Sequence, residues 1–389
     1  MKHTLINKDV IEALKEVPDE SVDCITTSPP YYSMRSYRGA ETVWGGSSDC
    51  KHEWVKQEIY KDNLRFRDPN HKASVGNQKN QQIYSNPNTE ASVCLKCGAW
   101  KGQLGFEPSY EMYIGHLMLV TKELKRVLKK TGTMFWNMGD SYASSGGPSR
   151  HFGYSDPKWA KVRNGSFEEP TAFDQGIEPK SLMMLPERFA IRMIDDGWAL
   201  RNKLIWYSRN KMPEPVKDRF SRKWEFVYFF TKSKRYYFDL DAIRVPWSDA
   251  RISDIERAKQ KHKGYSGKFS TITASGLKGQ PVGNPDKGKN PGDMLSIVTK
   301  SHKFIHHVVY PETLVEPLIK AGCPKDGVVL DPFAGSGTTG VVAKKLGRSS
   351  ILIEISGEYC KIIKERMNWG SGFDIEWAMN SPIEEVMVG

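Results

Sequence analysis

Val328-Val329-Leu330-Asp331-Pro332-Phe333-Ala334-Gly335-Ser336-Gly337-Thr338-Thr339-Gly340 reads as a short apolar strand, a glycine-rich turn and the start of a helix that runs on through Leu346. Gly335, Gly337 and Gly340 match the G-x-G-x-x-G spacing, in which glycines permit a tight turn and close approach of backbone to ligand. No lysine follows the last glycine, so a phosphate-cradling loop is not indicated and the ligand is nucleotide-like without a required triphosphate. A second apolar strand, Ile351 to Ile353, ends in Glu354, the position from which a carboxylate accepts hydrogen bonds from ribose hydroxyls. Asp331 places a carboxylate where a dinucleotide would bring its pyrophosphate, and a cationic, amine-bearing ligand fits better. The pattern predicts an α/β fold with a doubly wound sheet.

Near the other end of the chain, the apolar strand Val22 to Ile25 runs into Thr26-Thr27-Ser28-Pro29-Pro30-Tyr31-Tyr32. Two consecutive prolines cannot continue a strand, so the backbone leaves the sheet just past its carboxyl end, where open α/β sheets bind ligands. Ser28 offers a hydroxyl, the prolines hold main-chain carbonyls in a rigid direction, and Tyr31 supplies an aromatic face. Those parts suit the gripping of a flat heterocycle with an exocyclic amino group. A Pro-Pro turn with a packing tyrosine is the plainer reading of the tetrapeptide alone.

Together, Ser28-Pro29-Pro30-Tyr31 and Asp331-Pro332-Phe333-Ala334-Gly335-Ser336-Gly337-Thr338-Thr339 resemble the two signature motifs of the S-adenosylmethionine-dependent DNA amino-methyltransferases. The order, catalytic motif first and cofactor motif last, resembles the circularly permuted beta class. The resemblance implies a Rossmann-like class I methyltransferase fold with a seven-stranded mixed sheet. It also implies that Ser28, Pro29, Pro30 and Tyr31 hold the target base. Asp9, Asp331, Phe333, Gly335, Ser336, Gly337, Thr338, Thr339 and Glu354 are then the cofactor contacts; Asp9 also reads as a helix N-cap, and the two roles are compatible. Duplex DNA is the implied partner, and a cognate restriction endonuclease is a further one that the sequence leaves open.

Composition agrees. With 57 Lys and Arg against 46 Asp and Glu, the chain carries +11, which favours a polyanionic partner. From Arg251 to Lys303 stand eleven Lys or Arg and four Asp or Glu, in a stretch rich in Gly, Ser and Asn that makes a poor core. It reads as a phosphate-meeting module, or more plainly as a solvated linker. Arg35, Tyr37 and Arg38 add basic and stacking groups beside the first motif. No apolar run is long enough to span a bilayer and no amino-terminal signal pattern is present, so a cytoplasmic protein without membrane contact is expected.

Between Trp44 and Trp100 the α/β rhythm stops. Cys50, His52, Cys94 and Cys97 form two close pairs, the ligand set of a structural zinc site, although 41 residues separate the pairs. The alternative is unrelated free thiols. The expected organisation is a catalytic domain over 1–45, 105–245 and 305–370, a zinc-ribbon-like insertion over 46–104, a basic target-recognition module over 246–304 and a tail over 371–389. Within the catalytic domain, Leu117, Val120, Leu124, Val127 and Leu128 recur at helical spacing; Lys125, Arg126, Lys129 and Lys130 load the last turn, and Gly132 ends the helix before a strand at Thr133 to Met138.

The chemistry is constrained by what is missing. Methylation of a pyrimidine ring carbon needs a cysteine adduct, usually from a Pro-Cys pair, and none occurs here; Cys24, Cys323 and Cys360 sit in or beside apolar runs as small core residues. An exocyclic amine needs no adduct, only acceptors for its N–H groups, alignment for in-line transfer and a base flipped out of the duplex. Ser28 resembles the residue of the cytosine-N4 enzymes; adenine-N6 enzymes more often carry Asp or Asn there, but a hydroxyl and a carboxamide both accept a hydrogen bond, so adenine stays open. An RNA methyltransferase, a nicotinamide-dependent oxidoreductase and a non-catalytic DNA-binding protein are rival readings.

Overall fold

The computed structural model describes residues 1–32, 40–60, 88–143, 177–178, 180–211, 214, 216–248, 288–298 and 311–368. Arg35, Tyr37, Arg38, the segments 61–87 and 144–176, most of the basic stretch (251–287 and 299–303) and the tail 371–389 lie outside the described residues.

In chain order the elements begin with β1 (His3–Ile6), α1 (Val10–Glu16) and β2 (Val22–Thr27). Four short strands follow: β3 (Glu41–Trp44), β4 (Trp54–Tyr60), β5 (Asn88–Cys94) and β6 (Trp100–Gln103). The main fold resumes with α2 (Tyr110–Val127), β7 (Leu128–Met138), α3 (Leu185–Asp195), β8 (Ala199–Ser208) and β9 (Trp224–Thr231). It ends with β10 (Met294–Ile297), α4 (Glu312–Gly322), β11 (Val328–Asp331), α5 (Thr338–Lys345), β12 (Ser349–Ile353) and α6 (Gly357–Arg366).

The large sheet has eight strands in the order β1-β12-β11-β2-β7-β9-β8-β10, not the expected seven. All pairings are parallel except those of β9, which runs antiparallel to β7 and β8. The additional strand is β10, on the edge beside β8; it comes from the segment expected to be a separate basic module, and it alternates exposed and half-buried residues as a one-sided edge strand does. The central strands differ: β2 is buried along its whole length, as a strand covered on both faces must be. Ile25, Met134, Trp136, Leu330 and Phe189 belong to one core on one face, while Phe135, Phe229, Leu314 and Ile319 form a second on the other.

The helix-to-strand boundary also departs from expectation. α2 ends at Val127, and Leu128 already pairs with Val22 in the sheet, so Lys129 and Lys130 belong to β7 and Gly132 lies inside the strand. Tertiary pairing overrides the local signal: Leu128 is fully buried, and Lys129 reaches across to Asp23 at 2.8 Å instead of capping the helix.

β2 and β11 are neighbours, with Val329 opposite Cys24 and Leu330 opposite Ile25. The two motifs, about three hundred residues apart in sequence, therefore leave the sheet side by side at its carboxyl edge. The four short strands form their own antiparallel sheet, in the order β3-β6-β5-β4.

Candidate active site

Past the end of β2, Ser28, Pro29, Pro30 and Tyr31 line a cavity of about 590 Å³, together with Asp9, Phe333, Gly335, Ser336 and Glu354. Tyr31 Oη lies 2.9 Å from both Asn137 Oδ1 and Glu225 Oε2, and Ser28 Oγ donates to it at 3.3 Å. Burial and then the nearby Glu225 charge hold the Tyr31 hydroxyl well above its usual range, so it keeps its proton. A Ser28 hydroxyl that spends its proton on Tyr31 keeps its lone pairs for a donor in the cavity. Of the two proline carbonyls, Pro30 accepts from the Tyr113 hydroxyl at 2.8 Å, whereas Pro29 has no hydrogen-bond partner among the described residues. Gly139 packs against the Tyr31 ring; a Cβ there would come within 2.6 Å of it.

The glycine-rich turn is held from behind. Asp331 is fully buried and accepts from the Thr27 and Thr339 hydroxyls, each at 2.6 Å, and from the Phe333 N–H at 3.1 Å. It ties the residue preceding Ser28 to the helix that follows the turn. Asp331, Gly337, Thr338 and Thr339 are not among the cavity-lining residues, whereas Asp9, Phe333, Gly335, Ser336 and Glu354 are. Gly337 has a φ of +79° and would drive a Cβ to 2.9 Å from Ile363, so only glycine fits between turn and helix α6. Glu354 accepts from the N–H groups of Gly335 and Ser356, each at 2.8 Å. Burial outweighs those bonds and pushes its carboxyl up to about 7. Asp9 both caps α1, accepting from Ile11 at 2.9 Å, and borders the cavity.

The small sheet closes the same cavity: Thr42 and Trp44 of β3, and Gln103 and Leu104 at the end of β6, are lining residues. At its far end Cys50, His52, Cys94 and Cys97 bring their ligand atoms within 4.8 Å of one another. Cys50 Sγ lies 3.9 Å from Cys94 Sγ, and Cys97 Sγ 3.4 Å from His52 Nδ1. No disulfide joins them, and tetrahedral zinc with thiolate ligands requires sulfur–sulfur edges of about 3.8 Å. Although desolvation opposes it, hydrogen bonds from His52 and from surrounding backbone groups hold the Cys94 thiol down at about 5. The donor set and its spacing fit a four-coordinate zinc.

Asn137, Glu225 and the small-sheet residues Thr42, Trp44, Gln103 and Leu104 were not singled out as site residues by sequence reasoning. Glu225 carries no local signal, since it opens a strand that reads as core. Its significance comes from the Tyr31 contact and from Lys211, 3.2 Å away. Phe220, 96% exposed, also lines the cavity with Tyr142 and Arg222; Arg219 and Arg222 stack over Tyr142 at 3.9 and 5.2 Å and both pair with Glu214.

An α/β sheet carrying a nucleotide-type turn beside a Ser-Pro-Pro-Tyr loop defines a methyltransferase architecture, and the comparisons agree. A family model for the N6 and N4 DNA methylases matches residues 22–365. The Type II methyltransferase M.SmaI of Serratia marcescens is 30% identical over 363 residues, covering 93% of this chain and 90% of that one. M.Cfr9I of Citrobacter freundii is 28% identical over 364 residues, covering 94% and 87%. The solved structure of PvuII DNA methyltransferase (cytosine-N4-specific) shares the fold, with a TM-score of 0.52 at 17% identity over 98% of this chain and 91% of that one. The chain belongs to the N6/N4 DNA methylase family and is a DNA amino-methyltransferase. Among the described residues no helix is long and apolar enough to cross a membrane.

Proposed function

We propose that the protein methylates the exocyclic N4 of cytosine at a specific site in duplex DNA, with S-adenosylmethionine as methyl donor. The observation that carries this is the meeting of Ser28, Pro29 and Tyr31 with Phe333, Gly335, Ser336 and Glu354 around one cavity. Glu354 holds the donor's ribose, Asp9 its adenine side, and the backbone from Phe333 to Ser336 wraps the rest. S-adenosylmethionine supplies an electrophilic methyl on sulfonium. Ser28 Oγ and the Pro29 carbonyl accept from the target amine, drawing its lone pair out of conjugation, while the Tyr31 ring, backed by Gly139, stacks on the base. Alignment for in-line transfer supplies most of the acceleration.

A base cannot enter this cavity while stacked, so the target is flipped out, and the exposed Phe220 with Arg222 beside it meets the opened duplex. The chain order, with the Ser-Pro-Pro-Tyr strand before the glycine-turn strand, is a circular permutation of the fold. We assign a zinc to Cys50, His52, Cys94 and Cys97, a cytoplasmic location, and a partner restriction endonuclease of the kind the Type II naming of the relatives suggests.

Incubation with S-adenosylmethionine and mixed-sequence duplex DNA, followed by nucleoside mass spectrometry, tests the reading. N4-methylcytosine is expected, and Ser28→Ala lowers its formation on the order of a hundredfold. N6-methyladenine instead would overturn the base assignment and keep the mechanism; methylation of RNA alone would overturn the substrate.

A further inference from the structure

We infer that the metal cluster is a positioning device for the reaction: it locks the small sheet as the outer wall of the catalytic cavity and, through that wall, sets the Ser-Pro-Pro-Tyr loop. The inference rests on the methyltransferase reading and extends it to a region the sequence had set apart as an insertion.

The cluster gathers the two segments that must stay together for the wall to exist. Cys50 and His52 lie between β3 and β4, Cys94 is the last residue of β5, and Cys97 lies in the turn between β5 and β6. That turn is closed by Cys94 N–H to Ala99 O at 2.8 Å and Gly98 N–H to Cys94 O at 2.9 Å. Gly46, with φ of +75°, lets β3 turn directly against the cluster, since a Cβ there would stand 2.8 Å from Cys97 Sγ. Both cavity-bearing strands thus start or finish at the ligands: Trp44 pairs with Trp100 in register, and the Trp44 indole donates to Gly102 O at 3.2 Å.

From there the contacts run inward without a gap. Trp44 and Trp100 both stack on His116 of α2, at 5.2 and 5.5 Å. His116 pairs with the buried Glu107 at 2.9 Å, and Glu107 accepts from the Gly105 N–H at 2.8 Å. Gly105, at φ +90°, passes so close beneath the catalytic loop that a Cβ would lie 2.9 Å from Tyr31 O. On the other side, Thr42 faces the same cavity as Asp9. Trp44 and Trp100 join the main core, but the strands are of at most seven residues and their cluster end carries Cys50, His52 and Cys97 only half-buried, so a structural metal supplies the closure that apolar burial does not provide there.

The test uses the full chain as purified. Elemental analysis should find about one zinc per chain, and cobalt exchange should give the visible d–d and thiolate charge-transfer bands of a tetrahedral site. After chelation, far-UV circular dichroism should retain the large sheet, hydrogen exchange should rise through 40–54 and 92–106, and the dissociation constant for S-adenosylmethionine should weaken about tenfold or more, recovering on zinc addition. His52→Cys, which keeps four ligands, should retain metal and affinity where His52→Ala loses both. The inference is overturned by a chain without metal, by exchange that stops short of residues 102–106, by unchanged affinity in the metal-free protein, or by collapse of the whole fold on chelation. A zinc-bearing chain that shows the exchange response but binds no S-adenosylmethionine would instead sink the methyltransferase assignment of the cavity.

Discussion

The two walls of the cavity are held by different means. On the side of the large sheet, the Ser28 loop and the glycine-rich turn are bolted together by one buried carboxylate, Asp331, between Thr27 and Thr339, with a continuous apolar core on each face behind them. On the side of the small sheet, Thr42, Trp44, Gln103 and Leu104 stand on short strands whose far end is a four-ligand cluster. The first wall draws its rigidity from burial in layers; the second joins that core through Trp44, Trp100 and Leu104, and by our inference is clasped at its other end by side-chain tethers. The cavity is thus bounded by a layered core on one side and by short strands that run to the Cys/His cluster on the other.

The sharpest way to break the first wall is Asp331→Ala. It removes three hydrogen bonds to a charged acceptor and leaves the buried Thr27 hydroxyl without its acceptor, so stability to urea should fall by about 4 kcal/mol. Methyl transfer should fall with it, since Thr27 adjoins Ser28; an unchanged urea midpoint would show that the bolt is dispensable.

Glu354 probes the same wall through pH. Burial pushes its carboxyl up to about 7 in the folded chain from the ordinary 4.5 of a solvated glutamate, so the folded state binds the extra proton between those values. Stability of the ligand-free protein should therefore decline as pH rises from about 4.5 to 7, by up to about 3 kcal/mol, and Glu354→Gln should flatten that decline. A slope that survives the substitution would assign the titration elsewhere.

For the second wall, Gly105→Ala forces a side chain into φ +90° and against Tyr31 O. A loss of about 2 kcal/mol is expected. The effect that distinguishes the walls is kinetic: because the strain falls on the catalytic loop, turnover should drop while zinc content stays at the unsubstituted level. Retained turnover would separate the small sheet from the catalytic loop.

Much of this was legible from one dimension. The turn from Asp331 to Gly340 and the Ser28-to-Tyr31 loop were readable because their chemistry is local: prolines end a strand and glycines open a turn wherever the chain carries them. The Cys50/His52 and Cys94/Cys97 pairs were readable for the same reason. The eighth strand was not, because a four-residue edge strand has little periodicity and exists only when a neighbour offers its hydrogen-bonding edge. The end of α2 was misplaced because the pairing of Leu128 with Val22 outweighs a glycine four residues on.

By itself the sequence determined the type of fold, the two motifs and the Cys/His pairs that the fold gathers, since each rests on residue types at short spacing. Only the tertiary structure decided that Asp331 braces the cavity from behind while Glu354 faces into it, that Glu225 and Asn137 hold Tyr31, and that the apparent insertion is a wall of the site. Those facts depend on contacts between residues tens to hundreds of positions apart, and such contacts are chosen by the packing of the whole chain, not by any stretch of it.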